Sequence, residues 1–461
     1  MRKSGGVGRG RAKCLTGATP PPPPTVDHGG YRPQLYTSHG MDTLGGRGDG
    51  ATVPVIIKVN VLTDTGAALA LVGGAGTTND PFVYTGELRA ALLWAGPRFV
   101  VFEVSGYIDL GSSINITTPY VTVAGQTAPS PGICLRMAAG FGASREINIA
   151  EHDVVFQHFA IRPGSDSCNS AVQVYNFDNP AFVPSHIVCD HMSLSWAQDE
   201  GVFFSAPASN CTIWRSIIAE ILHSTPGSEV CGGGGLSEGH GIGVGVTPTI
   251  AVLQSLIAHN RNRNPQIGQG SSGVIQNNLF YGTHLGPLWF SFDATPWAWR
   301  ADGNYLRRDL NTESEFYAFA SADAPTGSEL YLNDNVLDNS VVSPDFTAFH
   351  LYSGIDPRIG TPPVSVSGYT PLSGADSYAH VLSVAGARPL DRDAVDTRIV
   401  SDVGARSGGF VSSISAVGGY PALAQNSGAF SVPSNPFGIA DAVGRTNLEA
   451  YLESLALALE S

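Results

Sequence analysis

The chain has 461 residues, 43% of them hydrophobic and only 14% charged. Its net charge of −14 excludes the basic stripe that a phosphate backbone needs, so nucleic acid is not an expected partner. No apolar run reaches the roughly 18 residues of a membrane span, and abundant glycine among many short apolar runs points to an all-β protein rich in turns.

The chain opens with a basic stretch, MRKSGGVGRGRAK, and a proline run at Pro20 to Pro24. No apolar segment follows the basic start, so it does not read as a signal peptide. Residues 1–38 are expected to form a flexible Pro/Gly-rich tail. An extracellular or virion-associated location is expected, with a mis-set start codon, another export route or travel on a particle such as a virion as the alternatives. From about Val53, short β-branched runs alternate with Gly, Asn, Pro and Ser. The runs at 154–162, 187–196, 212–220, 251–260 and 273–282 share one pattern: an apolar stretch, one polar residue, a second apolar pair. Aligning Gln157, Asp190, Arg215, Gln254 and Gln276 gives repeat steps of roughly 22 to 39 residues, one coil of a three-sheet solenoid plus variable loops. Asn304 and Asn335 suit tight bends between sheets, where left-handed backbone and side-chain hydrogen bonds are useful. The runs are more continuously apolar than alternating strands, which favours a right-handed single-stranded parallel β-helix over residues 39–440 against an irregular β-sandwich. In residues 441–461, Leu448, Tyr451, Leu452 and Leu455 fall at helical spacing behind a cap at Thr446 or Asn447, so a short amphipathic helix should pack on the body. Six cysteines lack any CxxC spacing and sit mostly among apolar residues, as buried thiols do; a loop disulfide such as Cys168 with Cys231 is the alternative.

Several segments resemble the pectate lyase family of polysaccharide lyases, in order from about Gly40 to Leu455. HGMDTLGGRGD (39–49) is similar to the family's opening glycine segment, GELRAAL (86–92) with AGPRFVVFEVSGYIDL (95–110) to its first coil, and PYVTVAGQTAPSPGICL (119–135) to its most recognisable stretch. HIVCDHMSLSWAQDE (186–200) resembles the cation-site strand and IAHNRNRNPQIG (257–268) the catalytic strand; VAGARPLDRDAVDTRIV (384–400), VGGYPAL (417–423) and TNLEAYLESL (446–455) follow in order. The resemblance implies cleavage of an acidic polysaccharide, pectate or a related polyuronate, by calcium-assisted β-elimination.

Calcium takes oxygen ligands, mostly carboxylates. The resemblance places them at Asp199 first and Glu200 second; as neighbours on a strand the two should point to opposite faces. The aspartate that the family brings from the preceding coil corresponds to Ser170, with Asp166 as the nearby substitute, and a further acid falls near Phe203, which cannot ligate. The cation site therefore reads as eroded. Asp190 in the DH pair reads as a satisfied core group. Arg263 matches the family's catalytic arginine. Arginine stays protonated, so a clamp on developing charge is the alternative to a base. Gln266 stands where a second basic residue is usual, and Arg261 could compensate from the same strand face. The glycine-rich insertion between Ile221 and Val246 holds no lysine; His240, in a GHGIG element, and His223 are its candidates for catalysis and substrate binding. Trp289, with Trp297 and Trp299, could stack on a sugar, although core packing is the more common role of such clusters. Two functions stay open: a lyase, and a non-catalytic carbohydrate-binding or virion-tailspike-like protein on the same fold.

Overall fold

The computed structural model describes residues 32, 35–138, 147–164, 170–205, 207–223, 239–246, 249–283, 288–290, 295–308, 319–321, 324–337, 340–342, 349–351 and 355–460. Its strands form three sheets, of twelve, ten and nine strands, and within each sheet successive coils lie side by side and almost all parallel. Each coil contributes one strand to each sheet in turn, which is a right-handed single-stranded parallel β-helix. Register is kept from coil to coil: Val121, Val154, Ile187, Cys211 and Ile250 stack at one position of the twelve-stranded sheet. Their side chains line an interior of Val, Ile, Leu and Phe closed to water. That explains the continuous apolar runs, because strands covered on both faces gain nothing from alternation.

Many corners carry a residue of positive φ. At the corner that leads to the ten-stranded sheet these are His158, His191, Arg215, Gln254, Asn277, Gly303 and Asp334. The sequence alignment is thus one residue out at two places: the strand partners of Asp190 and Gln276 are Trp214 and Leu253, while Arg215 and Gln254 are corner residues. The expected left-handed backbone at Asn304 and Asn335 likewise belongs to their predecessors, Gly303 and Asp334. The two asparagines instead carry the side-chain bonds. The oxygens of Ser216, Ser255, Asn278, Asn304 and Asn335 each accept the backbone N–H of the ladder residue one coil earlier, at 2.9–3.1 Å. This buried seam satisfies the N–H groups that the bend removes from the sheet.

Helices cover two faces. The helix Asn447–Glu460 begins with a reciprocal cap: Thr446 Oγ1 accepts the Glu449 N–H, and the Glu449 carboxylate accepts the Thr446 N–H. The helix therefore starts at Asn447 rather than 441, and packs Leu448 and Leu452 on Ile56, Phe99 and Val101 of the twelve-stranded sheet. Two further helices, Gly374–Val384 and Ala394–Ala405, start at Ser373 and Asp393 caps and cover the ten-stranded sheet. The expected tail also needs correction: Arg32 and Tyr36 are buried, so the body takes in residues on the N-terminal side of 39. Cys134, Cys189 and Cys211 are buried thiols, as expected; Cys168 and Cys231 lie outside the described residues.

Arg32 ties the C-terminal helix to the solenoid. Its guanidinium reaches Asp190, Glu453 and Glu460, each at 2.9 Å. Glu460 also approaches His158 Nε2 at 3.3 Å, and the His158 ring stacks on His191 with centroids 4.6 Å apart. Burial alone would raise the Asp190 carboxyl; Arg32 and His191 outweigh it and hold the group well below the carboxylate range. Burial opposes Glu460 in the same way, yet the His158 contact, His191 and Arg32 bring it to about 2. For His191 burial prevails over Asp190 and lowers it to about 4.

Three outcomes follow from this packing. Asn304→Ala leaves buried N–H groups without an acceptor and should cost about 1–3 kcal/mol in denaturant unfolding. Glu460→Gln removes one partner of a buried ion cluster and should cost about 3 kcal/mol. All three lowered pKa values give stability that is complete above the unfolded values and lost in acid. Stability should therefore fall as pH drops from 6.5 through about 4, as His191 takes a proton, and again from 4.5 towards about 2, as Glu460 does. Thermal melts across this range check it; an acid slope unchanged in Glu460→Gln would exclude the cluster as its source.

Candidate functional site

The acidic and basic candidates meet on the nine-stranded sheet, where three successive coils run through Glu200–Phe204, His240–Val244 and Gln266–Ile267. Register places Glu200 beside His240, and a bridge places His240 beside Asn262. Arg263 follows at a positive φ, with its carbonyl accepting the Ile242 N–H at 2.7 Å. Glu200 is 2% exposed, and its two oxygens are both engaged: Arg263 Nη1 is on Oε1, and the buried Ser170 donates to Oε2 at 2.9 Å. The Arg263 side chain is 34% exposed, so the guanidinium is seated on Glu200 yet open to the surface.

His240 Nδ1 lies 3.5 Å from Asp199 Oδ1 and 3.7 Å from Glu200 Oε1, too far for a good hydrogen bond but close enough for strong electrostatic coupling. Burial pulls the His240 pKa down; the two carboxylates outweigh it and the pKa ends raised. The reverse holds at Asp199, where burial would raise the pKa and His240 lowers it. The expectation that Asp199 and Glu200 face opposite ways does not hold. Asp199 sits in the turn before the strand, half-exposed, and both carboxylates face the same imidazole.

The remaining candidates are more scattered. Arg261 is on the same loop, but the loop is a bend and not a strand, so alternation does not put it on the face of Arg263. A side chain at Gly239 would meet His223 Cβ at 3.2 Å and Arg261 Cβ at 3.5 Å, which makes those two residues neighbours flanking Gly239. The His223 ring lies edge-on to Phe410 with centroids 6.0 Å apart. The backbone of Trp289 pairs with Gln266 one coil on; its side chain, like all of Asp166, lies outside the described residues. Trp297 and Trp299 are buried core residues, and Asp190 belongs to the Arg32 cluster.

Sequence reasoning missed the frame. Asn264 donates to the Asn260 carbonyl at 3.0 Å, and Asn260 accepts the Ile221 N–H and donates to the Ile218 carbonyl. A side chain at Gly241 would start 2.3 Å from Asn264 Oδ1 and 3.1 Å from the Arg263 carbonyl. Gly241 of the GIG stretch is thus space for the arginine loop, a signal visible in sequence only once the coils are aligned. Gly241→Ala should push the loop away and speed hydrogen exchange at the amides of Gly241 and Ile242; unchanged protection would show that the loop tolerates the methyl.

Asp199, Glu200 and His240 bring ligand atoms within 4.8 Å of one another, the spacing of a metal site. The chemistry is wrong for calcium, which takes six to eight oxygens. One of the three groups is an imidazole, and the Glu200 carboxylate already holds Arg263 and Ser170.

The parallel β-helix thus presents an Asp–Glu–His–Arg cluster on one lateral sheet. The chain is 28% identical to the probable pectate lyase C of Aspergillus oryzae over 331 residues, 69% of each chain. It is 28% identical to the probable pectate lyase C of Aspergillus fumigatus over 348 residues, 73% of this chain and 74% of that one. The resemblance first read from short motifs holds over these lengths. No family model matches the chain. Among solved structures, the cedar pollen allergen jun a 1 superposes with a TM-score of 0.49 at 13% identity, covering 75% of this chain and 90% of that one. A pectate lyase bound to a hexasaccharide gives 0.46 at 12% identity, covering 79% and 99%.

Proposed function

We propose that the chain is a polysaccharide lyase that cleaves pectate or a related polyuronate by β-elimination. The observation that carries this reading is Arg263: a guanidinium buried on one side against Glu200 and open on the other, next to an imidazole held between two carboxylates. In β-elimination the proton on C5 leaves, the C4–O4 bond breaks, a C4–C5 double bond forms and O4 departs as a hydroxyl after taking up a proton. C5 is weakly acidic because a carboxylate is attached to it, and the barrier falls when a fixed positive charge meets the charge that builds on that carboxylate. Arginine stays protonated and forks onto carboxylates, so Arg263 suits the clamp rather than the base. His240 in its neutral form is the proton acceptor in this reading. Arg261 and His223, on the flank, would hold further uronate units. The overall charge of −14 repels a polyanion at long range, so local cations must provide the affinity. Calcium, which the sequence resemblance implies, finds too few free oxygens among the described residues.

The test is the ultraviolet absorbance of unsaturated uronate ends during incubation with polygalacturonate. Absorbance should rise with the wild-type chain, and Arg263→Ala should slow it by about a hundredfold or more. Product formation unaffected by that substitution would remove Arg263 from the mechanism. Uronate binding without product, from a folded protein, would replace the lyase with the carbohydrate-binding role.

A further inference from the structure

Among the described residues, the groups that meet Glu200 leave its oxygens engaged and its flank occupied. Ser170, one coil before, uses its hydroxyl proton on Oε2. Arg263, two coils after, takes Oε1. Phe203, in the same strand, pairs with Gly243, and a side chain at Gly243 would start 2.6 Å from Phe203 Cδ2 and 3.3 Å from Glu200 Oε1. The aromatic ring and the carboxylate thus share one niche, and the ring offers no oxygen to a hard cation. A divalent ion at Glu200 would also have to lie against the Arg263 guanidinium, at a like-charge cost that grows in a partly buried site.

We propose that this site works without a divalent cation and that Arg263 supplies the positive charge at Glu200. In this arrangement Ser170 and Phe203 are positioning residues: they hold Glu200 as the internal counter-ion that aims the guanidinium. The remaining N–H groups of Arg263 then take the substrate carboxylate directly, with the forked geometry that arginine offers and a calcium ion does not. The ligand class is a uronate carboxylate, and the proposal rests on the polyuronate reading above.

The experiment is calorimetry on the full chain after dialysis against a chelator. One titrant is calcium chloride and the other trigalacturonate, each with wild type and with the double variant Ser170→Asp, Phe203→Asp. Wild type should give no saturable calcium heat up to millimolar concentration, and its trigalacturonate affinity should change less than about twofold between chelator and calcium. The double variant, with two new carboxylates facing the niche, should acquire calcium binding and a melting temperature that rises with calcium. Saturable calcium binding by wild type, or a loss of trigalacturonate affinity of about tenfold or more on chelation, would overturn the proposal. Should the double variant not fold, the wild-type titrations decide by themselves. Failure of wild type to bind or cleave any uronate would sink the polyuronate reading, while the calcium titration would still answer the cation question.

Discussion

Coil-on-coil register is the constraint on which the rest depends. Parallel strands keep each side chain above its counterpart one coil away, so the neighbours of a residue are fixed by its place in the coil. Glu200 meets His240 for the same reason that Val188 meets Val155. The interior carries the register through stacked aliphatic residues, and the corner carries it through the serine–asparagine seam, where each side chain bonds into the coil before it. Apolar burial is non-directional and would tolerate a slip. The seam does not, because a one-residue shift would leave a row of buried amides without partners.

The lateral cluster uses this scaffold to oppose charges that the sequence keeps far apart. Glu200, His240 and Arg263 come from three coils, and burial decides their roles. Glu200 is sealed in and serves as a fixed counter-charge, Asp199 faces solvent, and Arg263 spans the boundary. The far corner has a second polar group, Arg32 with Asp190, Glu460 and the stacked histidines, which locks the C-terminal helix down. Its groups are almost fully shielded from water and bonded to one another, so it reads as architecture. The two clusters hold similar residue types; exposure of one guanidinium separates a candidate site from a structural clasp.

Much of this could be read from the residues. The β-branched runs predicted strands covered on both faces, and their repeat predicted the solenoid, because both signals come from local chemistry. The C-terminal helix was legible from Leu448 and Leu452 and the Thr446 cap. The two other helices were not, since Val381 and Ile399 take their meaning from the sheet they cover. Corner residues were misplaced by one at Arg215 and Gln254, because a polar residue after an apolar run looks the same whether it ends the strand or turns the corner. Asp199, Glu200, His240 and Arg263 are each legible in the sequence separately. That Ser170 would hold Glu200, or that Gly241 would make room for Asn264, required the register, which appears only when coils are stacked.

The seam also gives the molecule a mechanical grain. In its strands and at the seam each coil is bonded to the ones before and after it, so load along the chain would be met by one corner bond and one set of strand pairs at a time. Hydrophobic surface yields gradually under such load, whereas a short buried hydrogen bond yields all at once. A row of Ser216, Ser255, Asn278, Asn304 and Asn335 therefore acts as a line of rivets: the coils would come away singly, in discrete steps, and the protein would behave under tension as a ratcheted spring rather than as a globule that bursts.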